Sequence, residues 1–101
     1  MTVYVVNNLR IHDRAEYGVY VSGFMEAFRG CGGEILAVQD APQAFEGEWP
    51  YDRTVLLRFP SREAIAKWVE SPGYQAIIGH RLRGASSNIV ILDAFVLPSA
   101  K

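Results

Sequence analysis

Apolar side chains recur at every second position in four stretches of the chain, a pattern typical of β-strands. These stretches are residues 3–11, 34–39, 53–59 and 87–96. In the first stretch Val3, Val5 and Leu9 share one face, while the last stretch is apolar on both of its faces. The pattern therefore predicts four strands.

Between the first two predicted strands, the apolar residues follow the spacing of a helix. Asp13 and Glu16 form the pattern of an N-cap with a capping box, so we expect the helix to begin there. The apolar stripe consists of Tyr17, Tyr20, Val21, Phe24, Met25 and Phe28. Glycines at 30, 32 and 33 follow it, and glycine at these positions predicts the end of the helix.

Two further helices are predicted between the third and fourth strands. Pro60 and Ser61 precede one apolar stripe, formed by Ala64, Ile65, Trp68 and Val69. Ser71 as N-cap, Pro72 at the first helical position and Gln75 as the capping-box partner then start the other helix. Its core-facing residues are Tyr74, Ile77, Ile78 and Leu82.

The predicted order is β-α-β-β-α-(α)-β, which indicates a ferredoxin-like α+β sandwich made of one domain over residues 1–101. Its helices can cover only one face of the sheet. We expect the first and last strands to lie centrally, and both are apolar on both faces. Since a sheet with one wet face alternates between apolar and polar residues, the second face needs a cover. A second copy of the same sheet is the simplest cover, so we expect a homodimer, with higher assembly left open.

Composition excludes several classes of protein. Of 101 residues, 50% are hydrophobic, and the net charge of −1 lacks the basic excess of nucleic-acid-binding proteins. No apolar run approaches the roughly 18 residues of a membrane helix. The single cysteine, Cys31, cannot form an internal disulfide, which favours the cytoplasm. We therefore expect neither nucleic acid nor membrane as a partner.

Several segments together resemble a known family. They are residues 8–13, Gly32-Gly33, 37–42, Glu46-Gly47-Glu48-Trp49-Pro50, 53–64 and the stretch 68–75 with its Ser-Pro-x-Tyr-Gln element. This set resembles the uncharacterised family catalogued as domain of unknown function 1330. The resemblance implies the dimeric α+β barrel superfamily, in which two ferredoxin-like sheets face each other, and it implies no particular reaction. Gln39, beside Asp40, stands where the family pattern often has an acidic residue, which weakens any proposal that needs two adjacent carboxylates there.

The strongest polar cluster surrounds the end of the third predicted helix. Arg81 offers a planar fork for an anion, and His80 is a candidate acid or base near neutral pH. Ser87 and Asn88 follow in the next strand as candidate ligand-binding residues. The alternative is that this cluster is a basic helix end that complements the helix dipole, followed by a polar turn.

Several other side chains are candidates for ligand binding. Trp49 lies on the arm between residues 40 and 52, where it either contacts a partner subunit or lines a pocket. Asn7 interrupts the apolar face of the first strand, so it either bonds to backbone or lines a polar cavity. Tyr17, Tyr20 and Tyr74 lie on apolar stripes, and only their hydroxyl groups are expected to reach a ligand.

Other chemistry has little support in the sequence. His12 and Cys31 lack any accompanying motif, and Arg53 is expected to pair with Glu46 or Asp52 at the base of the arm. No spacing suggests a metal site, and no glycine-rich phosphate loop is present, so no metal and no cofactor are expected.

Two functions remain open at this point. In the first, the protein is a cofactor-independent enzyme acting on a small organic acid or aromatic compound, with Arg81 holding the anionic group and His80 acting as acid or base. In the second, it is a non-catalytic ligand-binding or protective dimer. The geometry discriminates between them, because the enzyme needs His80 or His12 to point into an apolar pocket.

Overall fold

The computed structural model describes residues 1–98, and the predicted alternation of strands and helices is present there. The elements are β1 (Val3–Ile11), α1 (Arg14–Phe28), β2 (Glu34–Asp40), β3 (Arg53–Phe59), α2 (Arg62–Glu70), α3 (Pro72–Gly84) and β4 (Ala85–Asp93). All neighbouring strands are antiparallel, in the order β2-β3-β1-β4. The predicted ferredoxin-like α+β fold is therefore confirmed.

The position of the last strand differs from the prediction. The central strands are β1 and β3, whereas β4 lies at the edge beside β1. Each crossover connection passes over one strand, so β4 is carried past β1 to the outside of the sheet. The strand also ends at Asp93, and not at residue 96, because Asp93 pairs with Val3 and β1 begins there.

One face of the sheet packs against the helices and forms the core. The most buried residues of this face are Val3, Leu9 and Phe59, and Val5 and Leu57 pair across the two central strands. The helices contribute large aromatic side chains to the same core, namely Tyr17, Tyr20, Phe28, Trp68 and Tyr74. Rings of this size separate the helices from the sheet, so a cavity between helices and sheet lies among these aromatic side chains.

Side-chain caps start all three helices, and the sequence predicts two of them, Asp13 and Ser71. Asp13 accepts a hydrogen bond from the backbone N–H of Glu16 at 3.1 Å, and Ser71 accepts one from residue 74 at 3.3 Å. The second hydrogen bond of each predicted capping box, from the backbone N–H of the N-cap to the side chain of Glu16 or Gln75, is absent. The carboxylate of Glu16 instead binds His80 and Arg83 on α3, and Gln75 donates to the carbonyl of Val69 at 2.6 Å. In both cases tertiary partners compete successfully with the local hydrogen bond.

The opposite face of the sheet carries no helix within the described residues. Val90 and Leu92 of β4 point to this outer face with about half of their surface exposed (52% and 50%), beside Val6 and Leu56 of the central strands. Apolar residues therefore occupy both faces of β1 and β4, as the sequence pattern predicts. None of the helices in residues 1–98 has the length and apolar content needed to cross a bilayer.

Candidate functional site

A cavity of about 300 Å³ lies between the helices and the sheet face that packs against them. Its sheet wall comes from apolar residues of all four strands, including Val5, Val55, Leu57, Ile89 and Ile91. Its helix wall consists of Tyr17, Tyr20, Val21, Phe24, Met25, Ile65, Trp68, Val69, Tyr74 and Ile78. The volume is at the lower end of the range of small-molecule sites in proteins.

The aromatic residues of the helix wall support one another, which keeps the cavity open. The rings of Trp68 and Tyr74 have centroids 4.3 Å apart, and Tyr20 meets Tyr74 edge to face at 6.0 Å. The indole N–H of Trp68 donates to the carbonyl of Ala27 at 3.1 Å, which fixes its orientation. A wall of locked rings is pre-formed and does not need a ligand to order it.

Arg81 of α3 is the charged residue most deeply buried in this wall. Its side chain is only 7% exposed, and its Nη1 donates to Ser87 Oγ at 2.8 Å. Its guanidinium lies over the ring of Tyr20, 5.9 Å from the centroid. Within residues 1–98 no carboxylate pairs with Arg81, and its Nε has no hydrogen-bond partner. A buried cation without a counterion is costly, so the cavity favours an anion at this point.

Asn7 provides a second polar atom without a partner. In β1 it pairs with Val55 on one side and Ile89 on the other, so its side chain lies on the cavity face. Its Oδ1 is buried and has no hydrogen-bond partner among the described residues. Of the two roles left open by the sequence, Asn7 therefore lines the cavity and does not satisfy backbone through Oδ1.

Asn7 and Arg81 lie at the same end of the cavity. The partner of Arg81, Ser87, is two residues from Ile89, which pairs with Asn7. Two residues along a strand span roughly 7 Å. These two polar side chains are therefore close together in a cavity wall that is otherwise mostly apolar.

A pair of tyrosine hydroxyl groups adds a third polar feature. Tyr20 and Tyr74 are hydrogen-bonded through their hydroxyl oxygens at 2.9 Å, and either oxygen can donate. Burial, reinforced by Tyr74, raises the pKa of Tyr20 above its usual range, so its phenol stays protonated at physiological pH. The Tyr20 hydroxyl is therefore a hydrogen-bond donor and acceptor, and it does not supply a base.

Arg53 also lines the cavity, but its charge is already neutralised. Its Nε and Nη2 bind the two carboxylate oxygens of Asp40 at 2.5 and 3.2 Å, so the predicted pairing with Glu46 or Asp52 is wrong. Asp40 and Arg53 are opposite each other in the pairing of β2 with β3, which is a tertiary contact. The guanidinium of Arg53 holds the pKa of Asp40 below its usual range.

Neither histidine is among the residues that line the cavity. His80 binds the carboxylate of Glu16 through Nδ1, and Arg83 binds the same carboxylate at 3.1 Å. His80 and Arg83 together lower the pKa of Glu16, and this cluster joins α1 to α3. His12 is exposed at the end of β1. The geometry thus gives His80 a contact between helices and provides no imidazole in the cavity.

Trp49 and Asn88 also lie away from the cavity, at the outer face of the sheet. Trp49 donates to Thr54 Oγ1 at 3.1 Å and packs on the ring of Tyr51, whose hydroxyl accepts from Asn88 at 3.1 Å. The base of the arm is tied to its own sheet, since Asp52 N donates to the carbonyl of residue 9 at 2.7 Å. The arm thus places Trp49 against its own β3 strand.

The structure therefore divides the predicted site residues into two groups. Asn7, Tyr20, Tyr74 and Arg81 line the cavity, with Ser87 behind Arg81 as its hydrogen-bond partner, whereas His80, Trp49 and Asn88 lie elsewhere. The sequence reasoning missed Trp68 and Arg53 as lining residues, whereas Tyr17, which it named for its hydroxyl group, does line the cavity. Trp68 had a sequence signal, its place in an apolar helix stripe, but this signal is shared by ordinary core residues. In residues 1–98 no group of three His, Cys, Asp or Glu side chains is arranged to hold a metal ion.

Residues 2–95 match the model of a protein family described as a domain of unknown function, DUF1330. Among curated proteins, none matches the chain in sequence.

Solved structures with the same fold share only a small part of their sequence with this chain. A protein of unknown function from Rhodopseudomonas palustris shares 17% identity at a TM-score of 0.79, over 95% of this chain and 84% of that one. A dimeric ferredoxin-like protein of unknown function from a Jannaschia species shares 16% at 0.68, over 93% and 100%. SnoaB, a cofactor-independent oxygenase from Streptomyces nogalater, shares 15% at 0.62, over 97% and 98%. At these identities the similarity establishes the fold.

Proposed function

The chain belongs to the DUF1330 family, and we propose that it binds a small aromatic or apolar organic acid in the cavity between its sheet and its helices. The observation that carries the proposal is Arg81, a buried guanidinium with no carboxylate partner within residues 1–98. An anionic ligand group beside the guanidinium supplies the missing counterion.

The walls select the rest of the ligand. Aromatic and branched aliphatic side chains surround the cavity, and the second arginine, Arg53, is already paired with Asp40. A molecule with one anionic end and an apolar body therefore fits this distribution of charge. Inorganic anions or highly polar acids leave the apolar walls without contacts and are expected to bind weakly.

A cofactor-independent enzyme acting on the same acid or aromatic compound is the second candidate. SnoaB, an oxygenase described as cofactor-independent, has this fold, and a guanidinium in a dry cavity stabilises the anionic form of a substrate. The cavity wall holds no histidine or carboxylate that could act as a base, so the substrate would have to be acidic enough to lose its proton without one. Binding without turnover fits this wall better, and mass spectrometry of a bound acid after prolonged incubation separates the two.

We further propose that the working form is a homodimer in the cytoplasm. The exposed apolar side chains Val90 and Leu92 on the outer face support a second sheet as cover, and a related fold from a Jannaschia species is described as dimeric. Such a dimer leaves the cavity of each protomer on the opposite side of the sheet. Cys31, which has no disulfide partner, supports a reducing compartment.

The test is calorimetric titration of benzoate and larger aromatic carboxylates, each paired with its neutral amide. We expect the carboxylates to bind at least ~10-fold more tightly than the amides, and Arg81→Met to remove this difference. Arg83→Met is the matched control, because Arg83 lies two residues away on the same helix and pairs outside the cavity. Equal binding of acid and amide by the wild-type protein, or an acid preference that survives Arg81→Met, would refute the proposal.

A further inference from the structure

We infer that the bound acid carries an unbranched aliphatic tail, which leaves the cavity between α1 and β2. The inference rests on the proposed function and names the ligand class more narrowly, as carboxylates with a medium-length alkyl chain. It comes from four aliphatic side chains of the cavity wall that remain 38–62% exposed, namely Val21 and Met25 of α1 and Ile35 and Val38 of β2. We call these four residues the rim.

The helix half of the rim lies on the side of α1 that is turned away from α3. Glu16 and Gly23 face α3, the first through its hydrogen bond to that helix and the second at a position where a Cβ would meet Ile77 at 2.7 Å. Successive helix residues turn by about 100°, so Val21 and Met25 lie roughly opposite to these two residues. Since α3 leads into β4 at one edge of the sheet, the side of α1 away from α3 lies toward β2, at the other edge.

The strand half of the rim is left open by the helices. Every residue of β2 is exposed, although Ile35 and Val38 lie on the same sheet face as their partners in β3, Leu57 and Val55, which pack in the core. The helix layer thus covers the central strands and leaves the edge strand β2 uncovered. The rim is an apolar slot that continues the cavity outward, and an apolar chain in the slot removes this surface from water.

The character of the wall changes between the interior and the rim. Arg81 lies against the aromatic ring of Tyr20, whereas the rim is entirely aliphatic. Within residues 1–98, the other helix residues of the wall are buried or half-buried, so the slot at β2 is apolar on both its helix and its strand side. At the β4 edge, the exposed residues Ile89 and Ile91 have no such counterpart on a helix. The slot at β2 therefore suits a chain that is enclosed from two sides.

A ligand that reaches from Arg81 to the rim is elongated. Arg81 is bonded to Ser87 of β4, at one edge of the sheet, and the rim includes β2, at the opposite edge. The sheet wall between these edges is three strand spacings wide, about 14 Å. A carboxylate on a single ring covers only part of this width, whereas an alkyl chain of eight to ten carbon atoms extends into the slot.

The experiment measures dissociation constants by calorimetry near neutral pH for butanoate, hexanoate, octanoate and decanoate. In the wild type each added methylene should tighten binding by ~2- to 4-fold up to decanoate, with one molecule bound per chain, so decanoate should bind at least ~16-fold more tightly than hexanoate. Met25→Gln and Val38→Thr keep the size of the side chain and introduce a polar group into the slot. Combined, they should lower the ratio of decanoate to hexanoate affinity by ~5-fold, and each single variant should lower it in part.

Val90→Thr is the matched control. It makes the same substitution as Val38→Thr at a valine that is equally exposed, but on the outer face of the sheet. The ratio of decanoate to hexanoate affinity should stay within ~2-fold of the wild-type ratio in this variant.

The outcomes separate the two proposals. A gain with chain length that falls in Met25→Gln/Val38→Thr and persists in Val90→Thr supports the inference. If acids bind but their affinity stops rising beyond hexanoate, the inference is overturned while the proposed function stands. The same conclusion follows if the gain survives the rim variants, or if several molecules of decanoate adsorb to each chain. Failure of every acid to bind overturns the proposed function, and the inference with it.

Discussion

Replacing Arg81 with methionine should make the protein without ligand more stable, although Arg81 is among its most buried side chains. Methionine keeps an unbranched, flexible stem that fills the same space, and it removes the charge. If Arg81 binds a ligand and does not stabilise the fold, the desolvation of its guanidinium lowers the stability of the free protein, and the variant lacks this penalty. If Arg81 instead stabilises the fold, Arg81→Met should make the protein less stable.

The magnitude follows from the contacts of the guanidinium. Its hydrogen bond to Ser87 at 2.8 Å contributes about 1.5–3 kcal/mol for a charged donor. The contact with the ring of Tyr20, at 5.9 Å, adds about 0.5–2 kcal/mol. Burying an ion without a counterion costs several kcal/mol, and the unpaired Nε costs about 1–3 kcal/mol more. We expect a net gain of about 1–2 kcal/mol for Arg81→Met, which raises Tm by about 5–15 °C in a chain of this size.

Urea and thermal unfolding of the wild type, Arg81→Met and Arg83→Met near neutral pH measure this difference. Arg83, whose side chain is 62% exposed, should lose only a little stability on the same substitution, because exposed ion pairs contribute weakly. A loss of more than about 1 kcal/mol in Arg81→Met would show that Arg81 holds the fold together, and the reasoning about a missing counterion would then fail.

Three further predictions test the packing, the ion pairs and the assembly. Gly84→Ala places a Cβ 2.6 Å from the backbone nitrogen of Tyr17, so it should lower the free energy of unfolding by about 2 kcal/mol. Gly18 lies in open space within α1, so Gly18→Ala should raise the free energy of unfolding by about 0.5–1 kcal/mol. Equal unfolding midpoints for the two variants would contradict this account of the packing. Hydrogen bonds with His80 and Arg83 lower the pKa of Glu16 below its ordinary 4.5, so its carboxylate adds stability above that pH, which is lost as the pH falls through the lower folded value. The unfolding midpoints of Glu16→Gln and the wild type should therefore differ near neutral pH and converge in acid; a constant difference argues against the ion pairs. Light scattering should give the wild type a mass of two 11.3 kDa chains, and Leu92→Lys the mass of one chain. A monomeric wild type would exclude the dimer.

The local elements of the fold could be predicted because their signals are carried by neighbouring residues. The cap of Asp13 on Glu16 and the N-cap Ser71 lie within a few positions of the helices that they start. The edge position of β4 and the partner of Arg53 could not be predicted in this way. Both depend on which strands lie side by side, and Asp40 is 13 positions away from Arg53 along the chain.

The candidate site was predictable in part. Asn7 stood out because it interrupts an apolar face, and Arg81 because of its fork of donors near the end of a helix. His80 carried an equally strong signal from its residue type, yet its neighbour in space is Glu16, 64 positions away. Adjacent positions on a helix point about 100° apart, so the residue next to Arg81 faces another surface of the molecule.

By itself, the sequence determined the succession of strands and helices, the apolar character of both faces of the sheet, and the residue types available for binding an anion. Only the tertiary structure decided which polar groups of the cavity-lining residues remain without a partner. The physical reason is the range of the interactions concerned. Periodicity and caps act between residues a few positions apart, whereas the isolation of Arg81 and Asn7 depends on every element that packs around them.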